Sequence, residues 1–143
     1  MQRYPFKKSQ RIVTEADFKA VLAHKCSAQG DLLRLYVRPN DLGRPRLGIS
    51  VSRKCGNAVV RNRLKRLARE AFRLSQHDLP SEYDYLLIFP PGWSKKTQSE
   101  PQTATLAVDI ETVRQSLLRL AEKAVRKSRQ KPNKMTENAS GER

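Results

Sequence analysis

The side chains with the most pointed chemistry lie between Arg53 and Arg73. Arg53, Lys54, Arg61, Arg63, Lys65, Arg66, Arg69 and Arg73 are basic, and the only acid in that stretch is Glu70. It carries nearly half of the chain's net charge of +15. A guanidinium forks onto paired phosphate oxygens, and lysine adds a compact point charge. This is equipment for holding a polyanion; a merely solvated basic face is the plain alternative. Other reactive groups are sparse. Cys26 and Cys55 form no CxxC pair and are expected to be free thiols, and His24 and His77 do not complete a four-ligand zinc set. No paired carboxylates or histidines outline a hydrolytic centre, and Asp17 and Glu70 are accounted for by a helix cap and an ion pair.

The spacing of these residues tells how they are presented. On a helical wheel centred on Leu64, the residues Val60, Leu67, Ala68 and Ala71 share its side. Asn62, Lys65, Arg66, Arg69 and Arg73 fall opposite, with Arg61 and Arg63 on the flanks. One face should therefore enter a core while the other meets an anion. A solvated helix usually mixes signs at (i, i+4), whereas Lys65/Arg69 and Arg69/Arg73 are like-charge pairs costing a few tenths of a kcal/mol each. Gly56 allows a close backbone approach, and Asn57 is a good N-cap. The free amides that follow would add partial positive charge to the same surface.

The remaining elements must place that helix. Length and composition fit one domain, with 38% hydrophobic residues to build a modest core. Thr14 to Asp17 resembles a capping box with Asp in the acidic position, opening a helix over 15–25 that carries Phe18, Val21 and Leu22. Two β-type runs, 32–37 and 46–51, flank turn residues 39–43 and predict an antiparallel hairpin. The helix over 58–74 and a buried strand over 85–89 make a strand–helix–strand crossover. A second amphipathic helix is expected over 110–126. Residues 1–13 read as a basic segment flexible at its start, 14–127 as the domain, 90–109 as a long flexible insertion containing Trp93, and 128–143 as a disordered basic tail. With no long apolar run and no secretory leader pattern, a cytoplasmic location is expected.

The run from Lys54 to Glu70, with Arg61-Asn62-Arg63 at its centre, resembles the signature of the bacterial ribonuclease P protein family. Gly48-Ile49-Ser50-Val51-Ser52 also resembles the strand that leads into it, and the likeness extends in order over residues 11–89.

That resemblance implies an α/β two-layer sandwich like the second domain of ribosomal protein S5, with a left-handed crossover around the helix, although crossover rules favour the right hand. It implies a protein subunit of an endoribonuclease whose catalytic centre lies in an RNA partner. That RNA, with magnesium, would remove the 5′ leader of precursor tRNA, and the protein would be a monomeric accessory with no catalytic residue and no metal site of its own. Arg53, Lys54, Asn57, Arg61, Asn62, Arg63, Lys65, Arg66, Arg69 and Arg73 would face the catalytic RNA. The single-stranded leader would lie in a cleft containing Phe18, Leu22, Tyr36, Ser50 and Ser52, where base stacking is worth about 1–3 kcal/mol per base. Leu22 stands where the family often has a second aromatic ring. A ribosomal or ribosome-assembly protein, and a protein nuclease, are the competing readings.

Overall fold

The computed structural model describes residues 10–12, 14–30, 33–90 and 109–130. Most of the expected insertion, most of the expected tail and the first nine residues lie outside the described residues.

Helix α1 (Glu15–His24) begins where Thr14 Oγ1 accepts a hydrogen bond from the Asp17 amide at 3.1 Å. The Asp17 carboxylate accepts from Arg46 Nη1 at 3.4 Å, so this Asp ties the helix to the sheet. Lys25 ends the helix in the left-handed region at φ 61, one residue before the sequence suggested.

Four strands follow: β1 (Cys26–Gln29), β2 (Arg34–Pro39), β3 (Arg46–Val51) and β4 (Tyr83–Phe89). Their order in the sheet is β1-β2-β4-β3. The expected pairing of β2 with β3 is therefore corrected: β4 lies between them, antiparallel to β2 and parallel to β3. The cause is in its sequence. Tyr83 to Phe89 is buried at nearly every position, and a strand apolar on both faces belongs at the centre. The turn residues do turn the chain, with Asn40 Oδ1 accepting from the Leu42 amide at 3.0 Å and Gly43 at φ 74. They span a gap one strand wide. Strand β1, Cys-Ser-Ala-Gln, escaped notice because its buried side chains, Cys26 and Ala28, are small and give little β signal.

Helices α2 (Ala58–Ser75) and α3 (Ile110–Gln130) cover one face of the sheet. Leu35 and Val37 from β2, Tyr85, Leu87 and Phe89 from β4, Leu64 and Phe72 from α2, and Leu117 and Leu120 from α3 join in the main core. Helix α3 continues four residues beyond the expected 126 because its buried stripe continues through Ser128, whose Oγ lies 3.0 Å from His24 Nε2. The opposite face carries α1 and a smaller cluster of Ile12, Val21 and Leu86, with Phe18, Tyr36 and Ile88 packed on it. A mixed α/β fold is as expected. Helix α1 adds a partial third layer, because alternation along β4 sends Leu86 and Ile88 away from the main core.

Candidate nucleic-acid interface

The approach to α2 is built for a sharp entry. Ser52 Oγ accepts from the Lys54 amide at 3.1 Å and opens a single 3-10 turn, Arg53–Cys55. Arg53 and Lys54 are exposed on this turn, while Cys55 is buried with Sγ 3.4 Å from the Pro90 carbonyl. Burial pushes the Cys55 thiol up, opposed by a backbone hydrogen bond from Ser52 and the nearby Arg61 charge. Neither cysteine is in a disulfide, as the sequence suggested, and both are buried. Gly56 takes φ 151, a region that side-chain-bearing residues seldom enter. Asn57 Oδ1 then accepts from the Val60 amide at 3.0 Å, the N-cap its type predicts.

Within α2 the division into two faces is realised. Val60, Leu64, Ala68 and Ala71 are buried, and Leu67 is half-buried against them. Asn62, Arg63 and Arg66 are exposed, while Arg61, Lys65 and Arg69 form a half-buried (i, i+4) row. Arg73 differs from the other cations. It lies in a forked ion pair with Glu70, with Nε 2.9 Å from Oε1, so much of its charge is answered within the helix. The pairing draws the Glu70 carboxyl below its ordinary range.

The N-terminal strand segment adds a cation that the sequence did not assign to the site. The Ile12 amide donates to the Leu47 carbonyl at 2.9 Å along the edge of β3, and Gln10 reaches Gln76 at 2.7 Å. Arg11 is thereby held near Arg69. Burial lowers the Arg69 guanidinium pKa, and the Arg11 and Arg66 charges lower it further. An anion placed here would relieve this concentration of like charge. A cavity of about 200 Å³ lies here, lined by Arg11, Ile12, Phe18, Leu47, Ile49, Lys65 and Arg69. It contains no acid and touches both α2 and Phe18. The expected helix surface and the expected cleft therefore meet at the edge of β3.

The cleft residues sit on the α1 face of the sheet. Phe18 lies against Gly48, where a Cβ would come within 2.8 Å of the ring. Tyr36 and Gly48 flank Leu86 in one cross-strand row, and Arg34 and Ser50 flank Ile88 in the next. Ser50 is exposed and Tyr36 half-buried; Leu22 is 41% exposed on α1. Ser52 is committed to capping the 3-10 turn, which gives its hydroxyl a structural task. Arg34 was not assigned to the cleft from sequence, although period-two alternation with Tyr36 places both on one face. Among the described residues no group of three or more His, Cys, Asp or Glu could hold a metal ion, and no helix is long and apolar enough to cross a membrane.

Fold and surface together define a small, basic α/β protein that presents one cationic helix beside an aromatic-bearing sheet face. Comparison with known proteins gives that class a family. The family model described as Ribonuclease P matches residues 6–125. A ribonuclease P protein component from Haemophilus influenzae is 37% identical over 125 residues, covering 87% of this chain and all of the relative. One from Photobacterium profundum is 40% identical over 101 residues, covering 70% of this chain and 80% of its own. The solved RNase P protein from Thermotoga maritima, in complex with 1-(4-fluorophenyl)-2-thiourea, superposes with TM-score 0.63 at 34% identity, covering 75% of this chain and 92% of that one. A Staphylococcus aureus RNase P protein gives TM-score 0.64 at 28% identity, covering 80% and 94%. The chain belongs to the ribonuclease P protein family. Membership implies a role in tRNA 5′-end processing as the protein component of an endoribonuclease, in partnership with the RNase P RNA.

Proposed function

We propose that this chain binds the catalytic RNA through α2 and the 5′ leader of precursor tRNA through the sheet face beside α1, assisting magnesium-dependent removal of the leader. The observation that carries the reading is the contrast on α2. Arg61, Asn62, Arg63, Lys65, Arg66 and Arg69 present charge and hydrogen-bond donors outward with no acid between them, while the opposite face anchors the helix in the core. Phosphate oxygens answer those groups directly. Arg53, Lys54 and Asn57 extend the surface at the helix entry, and Arg73 contributes less because Glu70 holds it.

Phe18 and Tyr36 supply stacking surfaces for single-stranded bases, with Leu22, Ser50 and Ser52 around them. Magnesium belongs with the RNA partner, since a surface this cationic repels a divalent ion; neutral Asn62 can accept or donate to metal-bound water without adding to that repulsion. The catalytic centre is placed in the RNA, and the protein acts as one cytoplasmic copy within the ribonucleoprotein. Kinship with the family also supports an S5 domain 2-like classification with a left-handed β3–α2–β4 crossover.

Reconstitution tests the reading. Purified protein, the matching catalytic RNA and precursor tRNA are combined at low magnesium, and accurate 5′ cleavage is followed. Stimulation over RNA alone is expected. Its absence would overturn the proposed accessory role and favour a ribosomal or assembly task for this family member, and cleavage by protein alone would make it a nuclease in its own right.

A further inference from the structure

The leader cleft, as proposed, has one ring on α1, Phe18, and one on the sheet, Tyr36; Leu22 stands one helical turn from Phe18, so neither ring has an aromatic partner on its own element. The sheet offers a planar group of another kind. Arg34 and Tyr36 alternate along β2 and share its α1 face, and Arg34 Cζ lies 5.4 Å from the centroid of the Tyr36 ring. That distance is within the range over which a cation is held on an aromatic face. Arg34 is exposed and its side chain makes no hydrogen bond or ion pair among the described residues, so the ring is its one specific partner. The other two arginines on this face are engaged elsewhere: Arg38 and Arg46 both bind the buried Asp84 carboxylate. Among the described residues, Arg34 is thus the arginine of this sheet face with no carboxylate partner.

Its surroundings suit a nucleotide. Arg34 pairs across the sheet with Ile88, which pairs in turn with exposed Ser50, and no acid lies in that row. A guanidinium is flat and weakly hydrated, stacks on bases as it does on tyrosine, and keeps its edge free to donate to phosphate oxygens. Lysine offers the charge without the plane.

Resting on the leader-cleft reading, we infer that Arg34 is a further stacking plane on the sheet side of that cleft, working with Tyr36 on one leader nucleotide and binding its phosphate through the guanidinium edge. An Arg–Tyr pair then does what two aromatic rings would do, with added attraction for the strand's charge. It is a binding and positioning residue, and its contribution exists only where the leader is long enough to reach it.

The test uses holoenzyme reconstituted with the catalytic RNA and two precursors, one with a long single-stranded leader and one trimmed to a single leader nucleotide. Arg34→Ala is expected to weaken binding of the long-leader precursor by about three- to tenfold and leave the trimmed one unchanged. Arg34→Lys should recover less than half of the loss on a logarithmic scale. Arg34→Phe should recover most of it, with a flatter dependence on salt. Matching thermal melts for all three proteins confirm that folding is intact, as expected for an exposed strand position.

Wild-type affinity in Arg34→Lys would overturn the stacking role. Wild-type affinity in Arg34→Ala, with Tyr36→Ala still weakened for the long leader only, would overturn this inference and leave the leader cleft standing. If Phe18→Ala and Tyr36→Ala also ignore leader length, the cleft reading itself fails.

Discussion

Arg46 meets Asp84 in a two-point ion pair, with Nε donating to Oδ1 at 2.8 Å and Nη2 to Oδ2 at 2.7 Å. Asp84 is fully buried on the central strand, and Arg38 Nη2 at 3.2 Å and Asn40 Nδ2 at 2.7 Å complete its shell. Through Arg46 Nη1 and Asp17 the node also reaches α1. Arg46→Met removes the two-point partner of the buried carboxylate and leaves it with Arg38 and Asn40, and is expected to cost about 3 kcal/mol in urea unfolding, the lower end for a broken buried pair. A loss below about 1 kcal/mol would place the pair with exposed ion pairs of small worth.

Salt dependence separates the cations of α2. If about five phosphates are neutralised, the log–log slope of RNA affinity is near −3.5, a roughly hundredfold loss from 50 to 200 mM salt. Arg66→Ala and Arg69→Ala should each flatten the slope by about 0.7. Arg73→Ala should change it less, because Glu70 already answers that charge. Equal changes at all three positions would contradict the distinction.

Gly48→Ala should imitate Phe18→Ala. The new Cβ would lie 2.8 Å from Phe18 Cε1 and 3.2 Å from Cζ, too close for the ring to stay. The ring tip can move, so displacement is expected rather than unfolding. Binding of long-leader precursor should weaken by about fivefold or more, within the range of a lost stacking contact, with the salt slope preserved. A protein that melts as wild type and binds leader as wild type would show that Phe18 packs without contacting RNA.

Asn57→Ala removes the cap that holds the first turn of α2. A loss of about 1 kcal/mol in stability is expected, with Asn57→Asp or Asn57→Ser retaining most of it. Affinity for the catalytic RNA should follow stability for Asn57→Ser and Asn57→Ala, whereas Asn57→Asp, which puts a negative charge on the RNA-facing surface, should bind more weakly than its stability predicts. Hydrogen exchange at the Val60 amide gives a direct readout, since its acceptor is the Asn57 side chain at 3.0 Å.

Acid sensitivity should reflect Glu70. The Arg73 hydrogen bond, aided by its charge and opposed by burial, holds this carboxyl low in the folded chain. A depressed carboxylate stabilises the fold above its unfolded value of about 4.3, and that contribution is lost as pH falls through the lower folded value. Glu70→Gln should thus lower stability at neutral pH and flatten the acid limb of a plot of urea midpoint against pH. An unchanged acid limb would assign the acid transition to other carboxylates.

The α2 face was legible because its code is local. Val60, Leu64, Ala68 and Ala71 repeat at helical spacing, and the Asn57 cap and Gly56 turn precede them in order. The sheet was less so. Nothing near the turn at residues 40–44 says that β4, some forty residues on, will wedge between the strands it joins. Arg11 was unreadable as part of the site, since its place depends on a bridge to Leu47 and a bond from Gln10 to Gln76. Separate surfaces for the helix and the cleft followed from treating elements singly. The cavity shared by Phe18, Lys65 and Arg69 joins them.

The central place of β4 also orders events in time. As the chain leaves the ribosome, β1 and β2 can pair on their own, but among the described residues β3 has only the single Arg11–Leu47 bridge until residues 83–89 emerge. By then the residues of α2 have already emerged, cations included. Closure of the sheet over this long sequence separation is the slow step expected of non-local pairing. The sheet floor that carries Tyr36, Arg34 and Ser50 cannot be complete before it. The cations of α2 thus emerge before the sheet face that carries Tyr36, Arg34 and Ser50, which is complete only after β4 has joined the sheet.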